Sequence, residues 1–221
     1  MSNGHTSSRS DGRKSSGEQA YAALLKEIRS GSFGPGDRLR EEDVSARLSM
    51  SRTPVREALR RLESDGIVEH KPRVGAVIRT LSHTEVVELY EMRIVLERTA
   101  AEMAAKHGAA AEFDALAALN DQIESNRDHP ALGAAINQDF HKALYLAGRN
   151  RFLLEASRAL NNALLLLGPS TYTDPARIDV VVREHRAIIS ALRAADAEAA
   201  GAAAEGHLQT SLLHRLKGVP R

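Results

Sequence analysis

The chain has 221 residues, 43% of them hydrophobic, with 30 Lys and Arg against 29 Asp and Glu and no cysteine. That length suits one large domain or two small ones, and the lack of cysteine excludes a disulfide scaffold. No apolar run reaches the roughly 18 residues of a membrane span and the N-terminus lacks a secretory core, so a soluble cytoplasmic protein without a membrane partner is expected.

The charge is unevenly spread. Residues 1–80 carry 15 Lys and Arg against 11 Asp and Glu, whereas residues 81–221 carry 15 against 18. A basic front and an acidic rear suit nucleic acid at one end and another partner at the other.

Residues 1–17 are rich in Ser, Gly, Arg and His and read as a flexible tail. Tyr21, Leu24, Leu25 and Ile28 recur at helical spacing over residues 18–29, and Gly31, Gly34, Pro35 and Gly36 close that helix in a loop. A second helix spans residues 41–48 with acids in its first turn, where the helix dipole favours them. Ser49 and Met50 make a short turn into a third helix starting at Ser51. There Val55, Ala58, Leu59 and Leu62 form an apolar stripe, Pro54 sits where a missing N–H costs nothing, and Arg52, Thr53, Arg56 and Arg60 lie off the stripe.

An ordinary amphipathic surface helix has the same stripe, so the neighbours decide between the readings. Two helices joined by a short turn form a helix-turn-helix with the second as reader. Residues 67–70 and 74–78 read as two strands around Lys71-Pro72-Arg73, a wing with a basic tip in which Gly75 lets backbone approach a duplex closely.

At this point the sequence resembles the GntR family. Tyr21, Ile28, Gly31, Pro35-Gly36-Asp37, Leu39, Ser51-Arg52-Thr53-Pro54-Val55-Arg56-Glu57-Ala58-Leu59, Leu62, Asp65-Gly66 and Arg73-Val74-Gly75-Ala76 follow its winged-helix pattern. The resemblance implies that Arg52, Thr53 and Arg56 contact operator DNA, with Ser51, Arg73 and Gly75 beside them. Glu42 stands where some members carry a DNA-contacting Arg, and Arg40 or Arg47 are the candidates to replace it.

The rear, residues 83–217, reads as an all-α domain. Ser82 is a plausible cap for a helix to His107, and five further helices are expected over residues 110–126, 131–147, 151–167, 175–194 and 196–217. The fold class is therefore mainly α: residues 18–80 a winged helix-turn-helix, residues 83–217 a six-helix bundle. The alanine-rich run 199–204 reads as close-packed helix.

Asn137 and His141 share one helical face, and His185 and His207 lie among apolar neighbours on separate helices. Imidazole suits zinc, nickel, cobalt, copper or iron(II), although distant histidines in helical chains are as a rule packed or surface residues. The rear resembles the ligand-binding domain of FadR-type GntR regulators in its six-helix form, which implies a metal held by an Asp and three His. His141, His185 and His207 match; Asn137 stands at the Asp position and offers an uncharged oxygen. A divalent transition metal, zinc or nickel foremost, is the expected cofactor, and an acidic effector is an alternative source of the missing negative oxygen. Arg93 resembles an arginine facing the effector pocket, where a guanidinium can clamp a carboxylate; an i,i+4 pair with Glu97 at a solvated or dimer surface is the other reading. Asn162, with Asn161, Ser170 and Thr171, is a candidate pocket residue.

The implied function is an operator-binding homodimeric transcriptional regulator, of repressor sign, released by a small carboxylic or sugar acid. A metal-dependent enzyme using the three histidines is the alternative; no His-Glu-X-X-His motif or nucleophile elbow supports it.

Overall fold

The computed structural model describes residues 15–168 and 171–217, and the expected tail falls largely outside them. The chain divides into two compact units, one ending at Ile78 and the other beginning at Arg79.

The first unit holds α1 (Ser16–Arg29), α2 (Glu41–Leu48), α3 (Arg52–Ser64), β1 (Val68–Lys71) and β2 (Gly75–Ile78). Residues 15–17, expected in the tail, instead begin the fold. Ser15 caps α1 in a reciprocal box with Glu18, so two helix-end N–H groups gain acceptors. Ala20, Leu24 and Ile28 of α1 face the α3 stripe, where Val55, Ala58, Leu59 and Leu62 are all buried. Tyr21 stays half-exposed because its hydroxyl bonds the Asp65 carboxylate and its ring lies under the Arg61 guanidinium.

The α2–α3 turn is made by Ser49 in the left-handed conformation, φ 53°. The two strands pair antiparallel, Val68 with Ile78 through Lys71 with Gly75. Each starts one residue later than the hydrophobic pattern suggests, because Arg73 at φ 65° and Gly75 at φ 97° put the turn across residues 72–74. The loop after α1 also joins the ladder: Leu39 N–H donates to Ala76 O and Arg38 bridges Val77. That pairing ties the wing to the helices and has no periodic signature.

The second unit is α4 (His83–His107), α5 (Ala110–Ser125), α6 (Pro130–Ala147), α7 (Arg151–Ala163), α8 (Pro175–Arg193) and α9 (Ala197–Leu216). Ser82 with Glu85, Asn150, Asp174 and Asp196 cap α4, α7, α8 and α9 through side-chain oxygens. The helix expected to reach residue 167 ends at Ala163 and tightens into a 3-10 turn over Leu164–Leu167, closed by Gly168 at φ 73°. Ala101, Phe113, Leu116, Phe140, Leu144, Ile188 and Leu192 form the core. Ala200 and Ala204 are fully buried, and a Cβ on Gly201 would meet Glu102 at 2.7 Å, so the alanine-rich start of α9 lies directly on α4. No helix among the described residues is long and apolar enough to cross a membrane.

All the buried polar side chains among the described residues belong to this second unit: Arg93, Glu97, Asn120, His141, Ser157, Arg177, His185 and His207. Burying such groups is costly unless each is partnered, so their concentration in one helical core marks the site.

Candidate nucleic-acid interface and metal centre

In the first unit a groove of about 660 Å³ runs between α2, α3 and the wing, lined among others by Arg38, Arg40, Arg52, Arg56, Arg60 and Gly75. Arg52 and Thr53 sit exposed in the first turn of α3. Ser51 takes the extended cap conformation, but its side chain makes no cap bond. Arg40 precedes α2 as its N-cap, and Arg73 stands exposed in the wing turn.

The arginines are already engaged. Arg56 donates to both oxygens of Glu41, at 2.9 and 2.8 Å, and Arg52 donates to Glu42 at 2.8 Å. The bond from Arg56, with its charge, holds the Glu41 carboxyl below its usual range. Sequence reading placed these acids at a helix start and missed that one turn of chain sets them against the arginines of α3. It also missed Arg38, which the bridge to Val77 directs into the groove.

In the second unit, α6 supplies His141 and Asn137, α8 His185 and α9 His207. One ring nitrogen from each histidine lies within 4.8 Å of the others. Each Nδ1 meets an oxygen on another helix: His185 meets Asn120 Oδ1 at 3.1 Å, His207 meets Glu184 Oε2 at 2.9 Å, and His141 lies against Glu97 Oε1. Asn120 is oriented by its own bond from Nδ2 to Val182 O. With Nδ1–H of His185 and His207 donating outward, Nε2 of those two rings is the nitrogen left to accept or ligate.

Phe140 stacks on His185 at 3.7 Å and keeps that ring buried. Burial pushes His185 well below its ordinary value and carries His207 down to about 4 against the opposing bond to Glu184. Both rings are therefore neutral at pH 7.

The site also holds unsatisfied atoms. Asn137 Oδ1 and His185 Nε2 are buried without a hydrogen-bond partner. An orphaned carbonyl oxygen one helical turn before His141, with three clustered imidazoles, fits a divalent transition metal.

Arg93 is neither solvated nor at a surface: it is 8% exposed, 3.9 Å from a Glu97 that is 1% exposed, and it lies over the Tyr90 ring. The pair with Glu97, read alternatively as a surface one, is thus buried. Asn162 is half-buried in the last turn of α7 and, among the described residues, has no side-chain bond to the histidines. Ser170 lies outside the described residues, and Thr171 opens a 3-10 turn. Glu184, adjacent to His185 in sequence, points away from it and onto His207, as the angular step of a helix requires. Arg177 was not visible to sequence reading: it is 2% exposed and bonded to Ser211.

The neutral histidines carry a pH prediction. A group whose folded pKa is depressed stabilises the fold above its unfolded pKa, and that stability is lost as the pH falls. With His207 moving from 6.5 to about 4, urea unfolding of chelated protein should show on the order of 2 kcal/mol less stability at pH 5 than at pH 7 from this residue. A His207→Gln variant should lose this residue's share and keep the share that His185 contributes in the same sense.

A winged helix with a basic groove, followed by a helical domain with a polar core, defines a two-domain DNA-binding transcriptional regulator. The family model for bacterial regulatory proteins of the gntR family matches residues 16–78, and that for the FCD domain matches residues 88–210. The chain belongs to the GntR family, in its FadR-type branch, and is not an enzyme.

It is similar to the HTH-type transcriptional regulator YdhC of Bacillus subtilis, 32% identical over 82% of this chain and 83% of the relative. It is also 32% identical to a probable D-xylose utilization operon transcriptional repressor of Paenarthrobacter nicotinovorans, over 86% of this chain and 84% of that one. The E. coli McbR/YncC structure shares the fold, with a TM-score of 0.80 and 22% identity over 93% of this chain and 99% of that one.

Proposed function

We propose that this regulator is a cytoplasmic repressor, released from a near-palindromic operator when a small acid binds beside a metal in the helical domain. Arg52, Thr53 and Arg56 read the operator, with Ser51, Arg40, Arg73 and Gly75 on its backbone. A repressor among the relatives supports the sign. Exposed Met92 and Val95 on α4 support a homodimer, whose twofold axis would match the operator symmetry.

One observation carries the reading of the helical domain: three buried, clustered imidazoles, two with Nδ1 bonded to an oxygen and the third against Glu97, and the orphaned Asn137 Oδ1 one helical turn before His141. His141, His185, His207 and Asn137 would hold the metal. When bound, the metal supplies a positive Lewis-acidic centre for a carboxylate oxygen. Asn120, Glu97 and Glu184 orient the rings, Phe140 excludes water, and Arg93 offers a guanidinium to the acid. Asn162 stands as an outer pocket residue.

Regulation follows from linkage. An acid that binds better to a dimer whose reading heads are mis-spaced for DNA weakens DNA binding by that same differential.

A thermal-shift screen of carboxylic and sugar acids tests this, with and without chelator. An acid present at about 100 times its dissociation constant should stabilise the protein by about 2.7 kcal/mol. The shift should vanish with chelator, and the same acid should release operator DNA. Shifts that survive complete metal removal would leave an acid site without a metal.

A further inference from the structure

Arg177 is a buried cation with most of its hydrogen-bonding capacity unused. Its side chain is 2% exposed, Nη2 donates to Ser211 Oγ at 2.5 Å, and Nε and Nη1 have no hydrogen-bond partner. Nη1 lies 3.5 Å from Glu184 Oε2, without hydrogen-bond alignment, and the same oxygen bonds His207 Nδ1 at 2.9 Å. One carboxylate oxygen thus joins this guanidinium to the histidine cluster. Tyr172 lies between the two arginines electrostatically: burial pushes its phenol up, and Arg177, Tyr90, Glu184 and Arg93 all act on it.

A guanidinium stays charged in proteins, and leaving one buried with unused donors costs more than leaving a neutral group so. Two such donors, linked to the histidine cluster through Glu184 and buried in the same helical domain as the orphaned Asn137 Oδ1 and His185 Nε2, indicate a polar occupant.

The charges say which kind. Arg93 and Arg177 contribute two positive charges, and Glu97 and Glu184 contribute two negative ones. The three histidines are neutral when they ligate a metal and Asn137 adds no charge, so a divalent metal leaves the buried cluster with two uncompensated positive charges. Uncompensated buried charge is strongly unfavourable, and a dianion removes it where a monoanion leaves half.

We infer that the effector is a small dicarboxylate, with one carboxylate at the histidine-held metal and the second on Arg177. The inference rests on the metal and acid reading above. Arg177 is then the residue that separates dicarboxylates from monocarboxylates.

The test titrates zinc-loaded full-length protein with the straight-chain dicarboxylates from oxalate to adipate, each paired with its monoamide. The monoamide keeps the shape and removes one charge. At least one diacid should bind about ten- to hundred-fold more tightly than its monoamide, the range expected for a charge-assisted contact. Arg177→Gln should bring the two within about two-fold while leaving monoamide and zinc binding unchanged.

Asn137→Asp, which keeps Arg177 and adds one negative charge, should also shrink the preference and serves if the Arg177 variant fails to fold. Equal binding of diacid and monoamide by the wild type, no diacid binding at all, or equal weakening of both by Arg177→Gln overturns the inference. If monocarboxylates still bind zinc-loaded protein, the broader acid reading survives that failure; if no acid binds and no zinc is retained, both fall.

Discussion

Arg56→Ala is expected to lower operator affinity more than the loss of one contact would. A side chain that hydrogen-bonds a base edge is worth about 1–3 kcal/mol of discrimination. Arg56, however, also neutralises Glu41 through two bonds, at 2.9 and 2.8 Å. Removing the arginine leaves that carboxylate facing the groove proposed to take DNA, so repulsion of phosphates is added to the lost contact. The double variant Arg56→Ala, Glu41→Ala should therefore bind more tightly than Arg56→Ala alone, a non-additivity that a double-mutant cycle isolates.

Glu42→Ala should act in the opposite sense. The Arg52–Glu42 pair is exposed on both sides, 62% and 72%, so breaking it costs the fold little and frees a cation for DNA. A gain of a few-fold is expected, with a steeper salt dependence as one more phosphate contact forms. Fluorescence anisotropy on a duplex selected by the protein from random sequence, against a scrambled control, measures these three variants and the Glu41→Ala single that closes the cycle. Unchanged affinity of Arg56→Ala would remove it from the reading set.

The extent to which sequence foretold this molecule depends on whether a signal is local. The apolar stripe of α3 and the caps at Ser82, Asp174 and Asp196 are encoded within a turn or two, and those helices lie where period and capping put them. The start of α1 was misplaced by two residues because Ser15 and Glu18 form their box inside a stretch whose composition reads as tail. The bridge from Arg38 to Val77 joins segments 39 positions apart and leaves no periodic trace.

The candidate sites divide in the same way. His141, His185 and His207 stood out as residue types, but spacing alone could not bring them together; resemblance to a family supplied that step. What no pattern encoded was the set of groups around them. Asn120 is one asparagine in a helix of mixed composition, and Arg177 reads as an ordinary first-turn arginine of α8. Their roles come from the packing of α5 on α8 and of α8 on α9, which puts an amide on His185 and sets Arg177 and Glu184 of α8 against Ser211 and His207 of α9. Likewise, Arg93 and Glu97 have the spacing of a surface pair, and only the closure of α6 over α4 makes it a buried one.

Replacing His141 and His185 together by Ala should abolish metal retention while leaving operator binding in place. The two rings contribute two of three imidazole donors, and the remaining His207 with Asn137 Oδ1 cannot complete a closed site. DNA binding should persist because the groove, the α3 stripe and the wing all belong to the unit ending at Ile78. The expected signature is therefore a split one: no zinc by elemental analysis after gel filtration, an operator affinity within about two-fold of wild type at low effector, and no release by any acid that releases the wild type.

Stability supplies a second readout. Removing both rings takes away two buried, desolvated groups but leaves Glu97 and Asn120 without their histidine partners. An unsatisfied buried donor or acceptor costs about 1–3 kcal/mol, more when charged, so the double Ala variant should unfold earlier than chelated wild type. Replacing Glu97 by Gln in the same background leaves Arg93 as an uncompensated buried cation and should deepen the loss. If instead the variant keeps stoichiometric zinc, the metal lies elsewhere and the three imidazoles serve only as hydrogen-bonding walls of an acid pocket.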